Sequence, residues 1–149
     1  MRAPTGRSRW NGHIRDVESP AAAFDRVILV DTALWIDHLH KTESALVDLL
    51  GLDRVGCHPL IVEEIALGSI RQRDNVLSLL ESLYQFPTVG HHEILHITSQ
   101  RRLWGKGLSP VDVHLMAAVA LVPGGQLWTR DERLRSACAE TGVALLGRH

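Results

Sequence analysis

The sequence predicts a single α/β domain with a central parallel β-sheet flanked by α-helices. Three observations point there: short apolar runs too brief for helices, longer stretches of helical spacing between them, and ordinary globular composition. Of 149 residues, 45% are hydrophobic and 22% charged, which suits one domain with one core at this length. Strands buried on both faces read as continuous apolar runs, and strands alternating with helices pair in parallel through crossover connections.

Residues 1–25 hold Arg2, Arg7, Arg9 and Arg15 among Gly, Ser, Pro and Ala without a sustained period, so a flexible tail is expected there and the folded domain over 26–149. Val27-Ile28-Leu29-Val30 opens the domain as a β-branched strand closed by Asp31. Helical spacing runs from Leu34 to Leu50, followed by a strand at Val55 to Cys57 and helices over Leu60 to Ser69 and Asp74 to Tyr84. A third strand is expected at Phe86 to Val89, with helices over His91 to Trp104 and Val111 to Val122. Pro123-Gly124-Gly125 reads as a turn before a strand at Leu127 to Thr129. A helix over Glu132 to Thr141 and a last strand at Val143 to Leu146 complete the series.

Charge narrows the classes of function. Sixteen Lys or Arg against 17 Asp or Glu leave a net charge of −1, which speaks against a protein that coats nucleic acid by bulk charge but allows a local basic groove. Cys57 and Cys138 are far apart and in no metal-ligand spacing, so neither a disulfide framework nor a zinc knuckle is expected, and a reducing cytoplasm fits. The apolar run Leu115 to Val122 is too short to span a bilayer, and the N-terminal arginines lack the apolar core of a signal peptide.

Functional groups of an open α/β sheet gather beyond the carboxyl ends of its strands. Four acids qualify: Asp31 after the first strand, Glu64 in the following helix, Asp112 at a helix start and Asp131 after the fourth strand. Sharing one cleft, they repel one another until a proton or a cation intervenes. Hard oxygen donors select Mg²⁺ or Mn²⁺ over zinc. Each acid also has a simpler reading. Ser109-Pro110-Val111-Asp112 has the form of a capped helix start, Thr129-Arg130-Asp131-Glu132 has a similar form, and Asp31 suits a cap or turn. Glu64 has Glu63 beside it, and period alone leaves one of the two simply solvated.

Taken in order, the motifs Val30-Asp31-Thr32 with Trp35-Ile36-Asp37, Glu64-Ile65-Ala66-Leu67-Gly68, Asp112 before an Ala-rich helix, and Leu127-Trp128-Thr129-Arg130-Asp131 resemble the PIN-domain ribonucleases, and within them the VapC toxins of toxin–antitoxin systems. The resemblance runs from about Val27 to Leu146. It implies a PIN-like fold, RNA cleavage with a divalent metal, and inhibition by a small VapB-like antitoxin. It matches Asp31, Glu64, Asp112 and Asp131 to the acidic catalytic and metal site and Thr32 and Thr129 to accompanying hydroxyls, but not Glu63. A homodimer is expected on the same ground. A module of the same kind that binds RNA or protein without cutting is the nonenzymatic alternative.

Arg130 and Arg133 flank Asp131 and are the favoured RNA phosphate contacts among Arg71, Arg73, Arg101, Arg102, Lys106, Arg130, Arg133 and Arg135. Trp35, Trp104 and Trp128 are expected in the core or against partners, since base stacking needs exposure. His92-Glu93-Ile94-Leu95-His96 spells the zinc-protease string, the competing enzyme reading. Arg102 stands where its extended form needs a third histidine.

Overall fold

A computed structural model describes residues 26–147; the expected tail lies outside them. Their elements are β1 (Val27–Val30), α1 (Thr32–His40), α2 (Ser44–Gly51), β2 (Val55–Cys57), α3 (Pro59–Ala66), α4 (Arg73–Ser82), β3 (Tyr84–Gln85), α5 (His91–Gln100), α6 (Pro110–Ala120), β4 (Gly125–Trp128) and α7 (Glu132–Thr141). The strands form one parallel sheet in the order β3-β2-β1-β4, the α/β architecture expected. β1 is buried along its whole length, as an all-apolar run in the middle of a sheet must be. Against the sheet pack Leu34, Trp35, Ile61, Ile65, Leu115, Met116 and Leu134, all essentially inaccessible. α6 is the most enclosed helix, with Val113 and every residue from Leu115 to Val119 buried.

Several boundaries depart from the sequence reading. The helix expected from Leu34 to Leu50 is two, because Lys41 turns extended and His38 Nδ1 accepts the Glu43 N–H at 3.0 Å. A side-chain acceptor in the last turn thus gives the next N–H a partner outside the helical ladder. α3 stops at Ala66, short of Ser69, where the Arg73 guanidinium donates to the Ala66 carbonyl at 3.1 and 3.2 Å. α5 stops at Gln100, short of Trp104, through a Schellman closure: Leu103 N–H donates to Thr98 O at 2.9 Å, with Arg102 left-handed at φ 54°. The third strand sits at Tyr84–Gln85 rather than Phe86 to Val89, although Phe86 N–H still reaches Cys57 O at 2.8 Å. The last strand shrinks to one parallel bridge, Leu127 with Leu145, held by Leu127 N–H to Ala144 O and Leu146 N–H to Leu127 O, both 2.9 Å.

Both cysteines are buried and free. Burial pushes the Cys57 thiol up to about 11 and the Cys138 thiol up to about 12.

Gly56 sets how closely β3 approaches β2. A Cβ there would stand 2.6 Å from Phe86 Cε1 and 2.8 Å from the Tyr84 carbonyl oxygen. Gly56→Ala should therefore lower stability by about 1–3 kcal/mol, the usual cost of overpacking; a denaturant melt matching wild type would show that this sheet edge tolerates the intrusion.

Candidate active site at the strand ends

β1 and β4 run in parallel with Val30 opposite Trp128, so the residues that follow each strand emerge side by side. Asp31 caps α1: its Oδ1 accepts the Thr32 N–H at 2.8 Å. Its Oδ2 accepts the Thr129 hydroxyl at 2.7 Å. Thr129 is buried, and its Oγ1 accepts the Asp131 N–H at 3.1 Å. On the other side, the Thr32 hydroxyl donates to Glu64 Oε1 at 2.5 Å, joining α1 to α3. Four of the expected residues, Asp31, Thr32, Glu64 and Thr129, thus lie on one hydrogen-bonded chain; Glu63 and Glu64 are both exposed, and Glu64 is the one that Thr32 engages.

Asp112 and Asp131 reach the cluster through charge. Burial pushes the Asp31 carboxyl above its ordinary value, and the charges of Asp112 and Asp131 push the same way, against the hydrogen bonds from Thr129 and Thr32. Both acids are also helix caps. Ser109 N–H donates to Asp112 Oδ2 at 2.9 Å and Asp112 N–H to Ser109 Oγ at 3.1 Å, a reciprocal capping box. Asp131 Oδ1 accepts from Arg133 N–H at 2.9 Å and Leu134 N–H at 3.2 Å. A carboxylate has about four lone-pair sites, so one or two cap bonds leave it acceptor capacity for a cation.

Among the described residues no three Asp, Glu, His or Cys side chains stand together at ligating distance. That counts differently for the two metals. A zinc site takes three or four protein ligands, and His92 and His96 are exposed on α5 while Glu93 accepts the Gly90 N–H at 3.0 Å as a helix-start cap. Mg²⁺ is commonly held through one or two carboxylates and keeps several waters. The all-oxygen set around a carboxyl already strained by its neighbours fits that ion in donor type and in charge.

The arginines near the cluster have different partners. Arg130 turns to α1 and the link beyond it, with Nη2 3.1 Å from Glu43 and Nη1 3.7 Å from Asp37. Arg133 lies against Gly107, where a Cβ would stand 2.7 Å from Arg133 Cδ. Arg135, named from sequence only among the basic residues that could contact RNA, donates from Nη1 to the Thr129 carbonyl at 3.1 Å and steadies the residue that holds Asp31. The available signal was its position one turn into α7, since long helical side chains lean back toward the N-terminus.

A second group missed from sequence is His58, the cap of α3. Its Nδ1 accepts the Leu60 N–H at 3.1 Å. Its Nε2, and Nδ1 of His114, are buried without a hydrogen-bond partner among the described residues, the two rings 6.3 Å apart.

Parallel strands bearing acids and hydroxyls at their carboxyl ends, with helices between, define a PIN-like α/β domain. No family model matches the chain. Ribonuclease VapC32 of Mycobacterium tuberculosis, from each of two strains, is 61% identical to it over 119 residues, covering 80% of this chain and 96% of the relative. The chain belongs to the VapC ribonuclease family.

Burial, helped by His114, pushes the His58 imidazole from its ordinary 6.5 down to about 4. The unfolded chain then binds the proton more readily, so stability rises with pH from about 4 to about 6.5 and is lost on acidification through that window. His58→Asn keeps a cap acceptor and should flatten the dependence of melting temperature on pH over this range. An unaltered slope in stepped-pH melts would exclude His58 as its source.

Proposed function

We propose that this chain is the endoribonuclease toxin of a toxin–antitoxin pair, hydrolysing RNA phosphodiester bonds with Mg²⁺, for which Mn²⁺ substitutes, and neutralised by a cognate VapB-like antitoxin. The observation that carries the reading is the Asp31 cluster, in which a half-buried carboxyl is hydrogen-bonded by Thr129 and crowded by Asp112 and Asp131, within a chain 61% identical to a ribonuclease.

In this reading Asp31, Glu64, Asp112 and Asp131 form the metal site, one or two of them holding the ion directly and the others through its waters. When bound, such an ion lowers the pKa of a water and steadies charge on a phosphoryl group. Thr129 fixes the Asp31 carboxylate from one side and Thr32 fixes Glu64 from the other. Orientation by neutral hydroxyls leaves the acids their charge, which an arginine partner would cancel. Arg133, at the first turn of α7 beside Asp131, is the better phosphate contact of the two flanking arginines. Arg130, engaged by Glu43 and Asp37, takes a lesser part in RNA binding.

The antitoxin surface in this proposal includes α1. There Ile36 is exposed while Trp35 is fully buried, so Ile36 rather than the tryptophan offers apolar contact. Homodimerisation and a cytoplasmic setting belong to the same reading. No helix among the described residues is long and apolar enough to cross a membrane.

Cleavage of a pool of structured RNAs should appear with Mg²⁺ or Mn²⁺, vanish with a chelator, survive His92→Ala and fall to background in Asp112→Asn. The asparagine keeps an oxygen for the Ser109 N–H, so chelator-treated melts should stay at wild type or above as the repulsion on Asp31 eases. Zinc-dependent peptide hydrolysis that needs His92 would overturn the ribonuclease reading. In sedimentation, the purified chain should run as a dimer and gain mass with the protein encoded beside it; a monomer indifferent to that protein would remove the partner proposal.

A further inference from the structure

Of the tryptophans Trp35, Trp104 and Trp128, two are sealed in the core and Trp104 is 61% exposed. It lies just past the closure of α5. The left-handed position in such a closure favours glycine, because a side chain there crowds the backbone. This chain instead places Arg102 there, at φ 54°, and the Arg102 guanidinium carbon lies 5.8 Å from the centroid of the Trp104 ring. A bulky cation in a strained position, laid against an exposed indole, calls for an explanation other than helix termination.

The surrounding loop runs along α7 and is tied to both of its ends. Lys106 Nζ is 3.1 Å from Glu140. Gly107, at φ 79°, gives room for the Arg133 side chain, whose own N–H is bonded to Asp131. Trp104 and Gly107 are three positions apart, a span of at most about 11 Å. The indole therefore stands, with Arg102, on a loop that packs on Arg133, two residues along the chain from Asp131.

We propose that Trp104, backed by Arg102, is a stacking platform for an unpaired base of the RNA substrate just outside the acidic cleft, a role that rests on the ribonuclease reading. Every base has a π-face, so an aromatic surface holds single-stranded RNA with little regard to sequence, while a neighbouring guanidinium adds attraction for the phosphates. The carboxylates repel the backbone they are to cut. A neutral platform with positive charge behind it offsets that repulsion at the adjoining nucleotide.

The test is binding of a fluorescein-labelled single-stranded oligoribonucleotide to the full chain in chelator, read by anisotropy, with Mn²⁺-dependent cleavage measured in parallel. Trp104→Ala should weaken binding about 5- to 150-fold, the contribution of one stacked base, and raise KM more than it lowers kcat. Trp104→Phe should bind within a few-fold of wild type, and Trp104→Leu should resemble the alanine variant, since bulk without a π-face does not stack. Arg102→Gly should hold or raise the melting temperature, as glycine suits the left-handed position, yet weaken binding and flatten its salt dependence. Wild-type binding by Trp104→Ala in a protein that cleaves RNA would overturn the platform alone. Equal binding by the Phe and Leu variants would do the same. A changed sedimentation coefficient in Trp104→Ala with RNA binding intact would mark the indole as a protein contact and also overturn it. A wild-type chain that neither binds nor cleaves RNA would remove the ribonuclease reading and the platform together.

Discussion

Like charges have to be crowded here without a basic side chain to separate them. None of the ion pairs among the described residues involves Asp31, Glu64, Asp112 or Asp131. Three of the four acids take backbone N–H groups at helix starts, and the fourth takes a threonine hydroxyl. A helix start offers unpaired N–H donors and the positive end of its dipole, so it lowers the cost of a carboxylate while leaving the net negative charge in place. The remainder of the architecture follows from that requirement. Parallel strands are what deliver several helix starts to one edge of a sheet, and the register of β1 with β4 puts the Asp31 and Thr129 side chains within a hydrogen bond of each other.

The cap reading and the ligand reading of these acids, which compete in the sequence, are therefore compatible. Ser109-Pro110-Val111-Asp112 does form a capping box, and Asp112 still acts on Asp31 through charge. Much of this was legible in the chain: the apolar run before Asp31, the capping signature before Asp112 and the acid after Trp128 each have a local cause. What was not legible depended on contacts distant in sequence. Nothing near Thr32 announces Glu64, 32 positions away, and nothing near Arg130 announces Glu43 and Asp37 as its partners.

The misplaced boundaries have the same origin. Periodicity continues through Lys41 and through Arg101, so a local reading carries the helices on. The chain stops them with a histidine acceptor in one case and a left-handed arginine in the other. At the far edge of the sheet, β3 takes its place from a missing side chain on its neighbour, since Gly56 lets Tyr84 and Phe86 come close. Apolar content alone put that strand two residues too late. The structural part Arg135 plays was not legible because it lies in a carbonyl it steadies, and backbone acceptors leave no mark on composition.

The two thiols carry a practical consequence. Cys57 in the sheet and Cys138 in α7 are enclosed and protonated at neutral pH, and the thiolate is the form that reacts. Electrophiles and mild oxidants should pass the folded protein by, and alkylation should follow the opening of the core rather than the state of the cleft. The chain thus carries built-in clocks for unfolding, one in a strand and one in a helix, whose labelling rates report whether sheet and helix layers come apart together or in turn.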